Sequence, residues 1–191
     1  DSTIVFAPFF TGRRANQISS FFKSYIEKKI LKNEKIIIFT NLDGMPENKT
    51  TEIMKVPVLN ISEIFRWDGS KERYEYCKKT LNGYKYQIDN DELNIIRNIE
   101  NRKLSFDYEK SLNLTCAMYA YLKDMFNIIH PSKIIIWGEW ARNSYILKNL
   151  ASINNISCGF MEFGWIPGTY QFDKGGIAGQ SEYAVTPALF N

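Results

Sequence analysis

The sequence predicts an α/β domain centred on a parallel sheet flanked by helices, and three observations carry that expectation. Short β-branched and aromatic runs are followed by longer stretches of helical period, as where Ile4-Val5-Phe6-Ala7-Pro8-Phe9-Phe10 gives way to the stretch from Ala15 to Leu31. A second strand–helix–strand unit, Lys133 to Trp137, Ala141 to Leu150 and Ser157 to Phe163, repeats the order of the first. The run Ile134-Ile135-Ile136 is apolar without alternation, as a strand buried on both faces must be.

The elements follow in order. The first run is too short for a helix and is closed by Thr11-Gly12, so it reads as a strand and a turn. In the next stretch Ile18, Phe21, Phe22, Tyr25, Ile26 and Ile30 recur at three-and-four spacing, one face of an amphipathic helix. Ile36 to Phe39 forms a second strand, completing the first parallel unit. Residues 41–51, with Asp43-Gly44 and Pro46, read as a surface loop, and Val56-Pro57-Val58 as a short edge strand. From about Ser62 to Ile129 the pattern is mostly helical, with breaks at Asn82-Gly83 and Asp89-Asn90 and a long run from Tyr108 to Ile129. No repeat and no Gly/Ser linker divides the chain, so residues 1–191 are expected to form a single domain.

Composition narrows the chemistry. With 191 residues the chain is one domain's worth at roughly 150 residues per domain, long enough to bury its own core. Lys and Arg total 24 and Asp and Glu 21, and the resulting charge of +3 is too small to indicate nucleic acid as a partner. Cys77, Cys116 and Cys158 form no Cys-x-x-Cys pair, which argues against a disulfide framework and a cysteine zinc site and fits a reducing, cytoplasmic setting. The one histidine, His130, precedes Pro131 at the end of an apolar stretch, a position suited to a helix end; a multi-histidine metal centre is impossible. No run of about 18 apolar residues is present to span a bilayer. The sequence begins at Asp1 rather than Met and stops just after Thr186-Pro187-Ala188-Leu189-Phe190, so it is expected to be a piece of a longer protein.

In open parallel sheets ligands bind beyond the carboxyl ends of the strands, which directs attention to the segments that follow them. After the first strand, Thr11-Gly12-Arg13-Arg14 enters a helix, where backbone N–H groups and the guanidinium forks of Arg13 and Arg14 suit an anion; solvated arginines at a helix start are the plainer alternative. Neither Gly-x-Gly-x-x-Gly nor a P-loop sequence is present, which argues against a nicotinamide cofactor and against ATPase action. After the Lys133 strand, Glu139, Trp140 and Arg142 leave the sheet together, offering the hydrogen bonds and stacking surface a saccharide needs; alternatively Trp137 belongs to the core and Glu139 pairs with Arg142. Glu162 at a strand end and Asp173 beyond a turn can converge on a sugar hydroxyl or share acid and base roles, or Asp173 can simply cap the turn at Gly175-Gly176. Asp89-Asn90-Asp91 has the spacing of a divalent-cation pair but lies in the helical middle, where a solvated loop is the better reading. No metal or other cofactor is required.

The segment Glu162, Gly164, Trp165, Pro167, Gly168, Thr169, Asp173 and Gly176 resembles part of the bacterial capsule and lipopolysaccharide biosynthesis glycosyltransferases, the capsule-synthesis and Kdo-transferase-like group. The resemblance covers about Lys133 to Gly179, roughly a quarter of the chain. It implies a Rossmann-like domain, the N-terminal acceptor-side lobe of a two-lobed GT-B-like enzyme whose C-terminal lobe is not in the chain. It also implies a nucleotide-sugar donor and a saccharide or glycolipid acceptor, with possible peripheral attachment to the inner membrane face.

On that basis Asp173, Glu162 and Glu139 are the candidates for acid, base or hydroxyl-orienting roles. Arg13 and Arg14 would hold phosphate or carboxylate, Trp140 and Trp165 would stack on sugar faces, and Arg142, Thr169 and Gly176 would bind the substrate. The chemistry expected is stabilisation of an oxocarbenium-like centre while one carboxylate deprotonates the acceptor hydroxyl. A non-catalytic glycan-binding or regulatory domain is the alternative. A flavodoxin-like response module is disfavoured, because arginines stand where it needs an acidic pocket or a phosphate loop.

Overall fold

The computed structural model describes residues 2–8, 28, 34–40, 58–60, 88–101, 108–138, 142–163 and 170–176. The described strands are β1 (Thr3–Pro8), β2 (Lys35–Thr40), β3 (Val58–Asn60), β4 (Lys133–Trp137), β5 (Ser157–Phe163) and β6 (Tyr170–Asp173). They form one six-stranded sheet in the order β3-β2-β1-β4-β5-β6. All neighbours run parallel except β5 and β6, which are antiparallel. The described helices are α1 (Asn90–Asn101), α2 (Tyr108–Ile129) and α3 (Arg142–Ile153). The order 3-2-1-4-5 is that of a Rossmann-like sheet, so the expected parallel sheet flanked by helices is the fold observed. The antiparallel β6 was not foreseen: the sequence suggested a turn up to Asp173, where a short edge strand stands instead.

Both faces of the sheet are buried, which explains the uninterrupted isoleucines. Alternation along the strands puts Val5, Ala7, Ile134, Ile136 and Phe160 on one face, packed with Ile96, Met118, Leu122, Ile146, Leu147 and Leu150 of the helices. Ile4, Ile36, Ile135, Trp137 and Met161 belong to the opposite face and are also buried. There Trp137 meets Phe163 edge to face, with ring centroids 5.1 Å apart. Trp137 is therefore a core residue.

Local chemistry sets the helix boundaries. Asp89 Oδ1 accepts the Glu92 N–H at 2.8 Å, and Glu92 Oε2 accepts the Asp89 N–H at 3.2 Å, a capping box that starts α1. The Asp89-Asn90-Asp91 sequence is thus a helix entry rather than a loop. α2 ends as anticipated before Pro131: His130 takes φ +48° and its N–H reaches the Phe126 carbonyl at 2.9 Å. α3 closes in a Schellman motif, with Asn155 at φ +54°, its N–H on Ser152 O and the Ile156 N–H on Ala151 O. Of the helix expected over residues 15–31 only Lys28 is described, and it is helical. The expectations for residues 41–57 and 61–87 lie outside the described residues.

Candidate functional site

The strand order reverses between β1 and β4: from β1 the sheet runs back through β2 and β3, and from β4 it runs forward through β5 and β6. At such a switch point the connections leaving the two strands diverge to opposite faces and open a crevice at the carboxyl edge. Pro8 and Trp137, the last residues of β1 and β4, are register partners, so the two strands end side by side. The sequence following β1 carries Arg13 and Arg14 and that following β4 carries Glu139, Trp140 and Arg142. Arg13, Arg14, Glu139, Trp140, Trp165 and Thr169 lie outside the described residues.

Gly138 makes the exit from β4. Its φ is +70°, a left-handed conformation that suits glycine, and its N–H donates to Met161 O at 2.9 Å. The chain then enters α3 at Arg142, whose guanidinium is committed inward. Nε donates to Glu100 Oε1 at 2.6 Å, and Nη2 donates to Glu100 Oε2 at 3.3 Å and to Ser111 Oγ at 2.6 Å. Arg142 thus pairs with Glu100 of α1, a partner that sequence reasoning did not offer.

Glu100 has no exposed surface, yet its carboxylate is fully served. Besides Arg142 it accepts hydrogen bonds from Ser111 Oγ and from Thr115 Oγ1, the latter at 2.5 Å. The C-terminal end of α1 and the N-terminal ends of α2 and α3 therefore converge on one carboxylate. The dipoles of the two helix N-termini favour negative charge there. No pattern in the sequence marks Glu100, because its partners lie 11, 15 and 42 residues away.

Glu162 and Asp173 occupy the helix-covered face of the sheet, since Phe160 opposes Asp173 and Glu162 opposes Gln171. Glu162 stands near the carboxyl edge, and its Oε2 accepts from Gln171 Nε2 at 3.1 Å. Asp173 is level with Phe160, three residues back from the end of β5, or about 10 Å along the strand. It is buried, and its Oδ1 accepts the N–H groups of Gly175 at 2.6 Å and Gly176 at 3.2 Å. Asp173 thus caps the turn that follows β6, in which Gly176 adopts φ +149°. The two carboxylates share a face, with Glu162 towards the carboxyl edge and Asp173 towards the middle of the sheet.

A separate groove of about 300 Å³ opens on the helical flank, lined by Ile95, Asn98, Ile99, Tyr145, Lys148, Asn149 and Ser152. None of the candidate residues lines it. Among the described residues no cluster of His, Cys, Asp and Glu is arranged to hold a metal ion, and no helix is long and apolar enough to cross a membrane.

No family model matches the chain, and no curated protein matches it. Among solved structures it is similar to a crystal structure of UDP-N-acetylglucosamine 2-epimerase, with a TM-score of 0.44 and 16% identity over 88% of this chain and 35% of that one. It is also similar to a structure from Listeria monocytogenes described by the same enzyme name, with a TM-score of 0.41 and 12% identity over 86% of this chain and 32% of that one. Both names denote enzymes acting on a nucleotide sugar. The chain spans about a third of the length of these structures.

Proposed function

We propose that the chain is the N-terminal, acceptor-side lobe of a GT-B-like glycosyltransferase that moves a sugar from a nucleotide-sugar donor to a bacterial surface-glycan acceptor. The observation that carries this is the reversal of strand order between β1 and β4, whose last residues Pro8 and Trp137 are register partners at the edge where such sheets bind ligands. Support also comes from the Glu162 to Gly176 segment, the part of the sequence that resembles capsule and lipopolysaccharide glycosyltransferases.

In this proposal Arg13 and Arg14 hold phosphate or carboxylate, and Trp140 and Trp165 supply stacking surfaces for the sugar. Thr169 and Gly176 are further substrate-binding candidates. Glu162 and Glu139, the carboxylates nearest the carboxyl edge in sequence and register, are the candidates for deprotonating the acceptor hydroxyl. Asp173 acts by fixing the turn at Gly175-Gly176. Donor binding falls mainly to a C-terminal lobe, and attachment to the membrane is peripheral, on its cytoplasmic face.

A saccharide-binding lobe without turnover is the alternative, favoured by one observation: Asp173 Oδ1 is already held by two backbone N–H groups. Ligand-observed NMR of the chain against nucleotides, nucleotide-sugars and neutral or acidic oligosaccharides tests the division of labour. Saccharide binding with little nucleotide binding is expected of an acceptor lobe. Tight nucleotide binding with no saccharide binding would overturn the assignment. In the full-length protein, Glu162→Gln separates the two possibilities: transfer is lost with acceptor binding retained if the lobe is catalytic.

A further inference from the structure

Among the described residues, Arg142 is held through one side of its guanidinium. Nε and Nη2 are bonded to Glu100 and Ser111, whereas Nη1 makes no hydrogen bond among the described residues. The side chain keeps 24% of its surface exposed, while the Glu100 side chain keeps none. Arg142 begins α3, four residues past Gly138, the residue that follows the carboxyl end of β4. A guanidinium has five N–H donors in a rigid plane, and fixing one edge aims the other.

We propose that Arg142 is an oxyanion-binding residue of the crevice and that buried Glu100 is its positioning residue, with Ser111 and Thr115 locking Glu100 in turn. The ligand group is a phosphoryl of the nucleotide sugar or a carboxylate of an acidic acceptor sugar, the two oxyanions that match the guanidinium fork. This rests on the reading of the carboxyl edge as the ligand crevice. Glu100 neutralises the arginine only in part, because the approaching anion meets the outer edge of the fork together with the N-terminal dipole of α3. Preorganisation is the gain: an arginine already fixed loses little side-chain freedom on binding.

The test is a titration of this chain with inorganic pyrophosphate and, separately, with glucuronate, followed by NMR of the arginine side chains and of the Gly138 amide. The wild-type chain is expected to bind at least one probe with shifts at Arg142 and Gly138, and the probe that binds identifies the phosphoryl or the carboxylate source. Arg142→Lys, which keeps the charge and loses the fork, should weaken that binding about tenfold, the loss of one charge-assisted hydrogen bond. Glu100→Gln should weaken it several-fold, and Glu100→Asp gives the same readout if the glutamine variant does not fold. Glu92→Gln, at the other end of α1, is the control for lost stability without lost positioning, and its affinity should match wild type. No binding of either probe, or binding indifferent to Arg142→Lys, overturns the oxyanion site. Wild-type affinity in the Glu100 variants, or an equal loss in Glu92→Gln, overturns the positioning role. Failure of the underlying crevice reading would look different: oligosaccharide and nucleotide-sugar shifts would then map away from Gly138 and Arg142 altogether.

Discussion

The ring of Phe172 occupies the space that a side chain at Gly159 would fill, with its Cζ only 2.2 Å from where a Cβ would stand. The two residues are diagonal neighbours across the β5–β6 pair, and Lys133 Nζ lies 5.5 Å from the centre of the same ring. An aromatic laid over a glycine in this way fastens an edge strand, because the ring covers backbone that would otherwise face water. Gly159→Ala should displace the ring and destabilise the fold by about 1–3 kcal/mol, the usual range for overpacking. Amide exchange in β6 should rise more than in β4. Unchanged exchange in β6 would show that the contact does not fasten the strand.

Removing the carboxylate at Glu100 leaves Arg142 without its charged partner and takes an acceptor from the Ser111 and Thr115 hydroxyls, of which Thr115 keeps the Ser111 carbonyl at 3.0 Å. Breaking a buried pair costs about 3–5 kcal/mol, and the partial exposure of Arg142 places Glu100→Ala near the lower end. Chemical denaturation measures this directly. A loss below about 1 kcal/mol, the value of a surface pair, would mean that the network is not buried in solution.

The capping box makes a smaller and separable claim. Asp89→Ala should cost about 1 kcal/mol, while Asp89→Ser should recover most of it, because a serine hydroxyl can accept the same Glu92 N–H. The comparison is made on urea midpoints, and equal losses for the two variants would contradict the cap.

The Cys116 thiol is pushed above its ordinary pKa, first by burial and then by the nearby Glu100 carboxylate, with Arg97 opposing. A thiol whose folded pKa is raised contributes stability that is fully present below the unfolded value, about 8.5, and is lost as pH rises towards the folded value. Between pH 7 and 10 the wild-type chain should therefore lose more unfolding free energy than Cys116→Ala does. Parallel pH profiles would remove the effect.

Asp173 separates turn-capping from proton transfer. Asparagine retains the carbonyl oxygen that the Gly175 and Gly176 N–H groups need, so Asp173→Asn should cost less than about 1 kcal/mol, whereas Asp173→Ala should cost about 1–3 kcal/mol through the unsatisfied donors. Turnover by full-length Asp173→Asn should persist if the residue only caps the turn. Complete loss of transfer with unchanged stability would return Asp173 to a catalytic role.

The sequence by itself determined the elements whose residues sit close together along the chain. Unbroken isoleucines at 134–136, the helical spacing from Tyr108 to Ile129, and His130 before Pro131 each state a local preference, and β4 and β5 form at the positions read from them. Parallel architecture was legible for the same reason, since strand–helix–strand order leaves few ways to bury the sheet. Tertiary structure alone decided the rest. β6 is a strand because β5 offers it an edge and Gly159 offers Phe172 a seat, neither of which shows in the glycine-rich sequence around it. Arg142 is bound to Glu100, and Asp173 is drawn away from the carboxyl edge, through partners fixed only once helices and strands have packed. Local preference is written in neighbouring residues, whereas an ion pair across 42 positions exists only after the fold has brought its ends together.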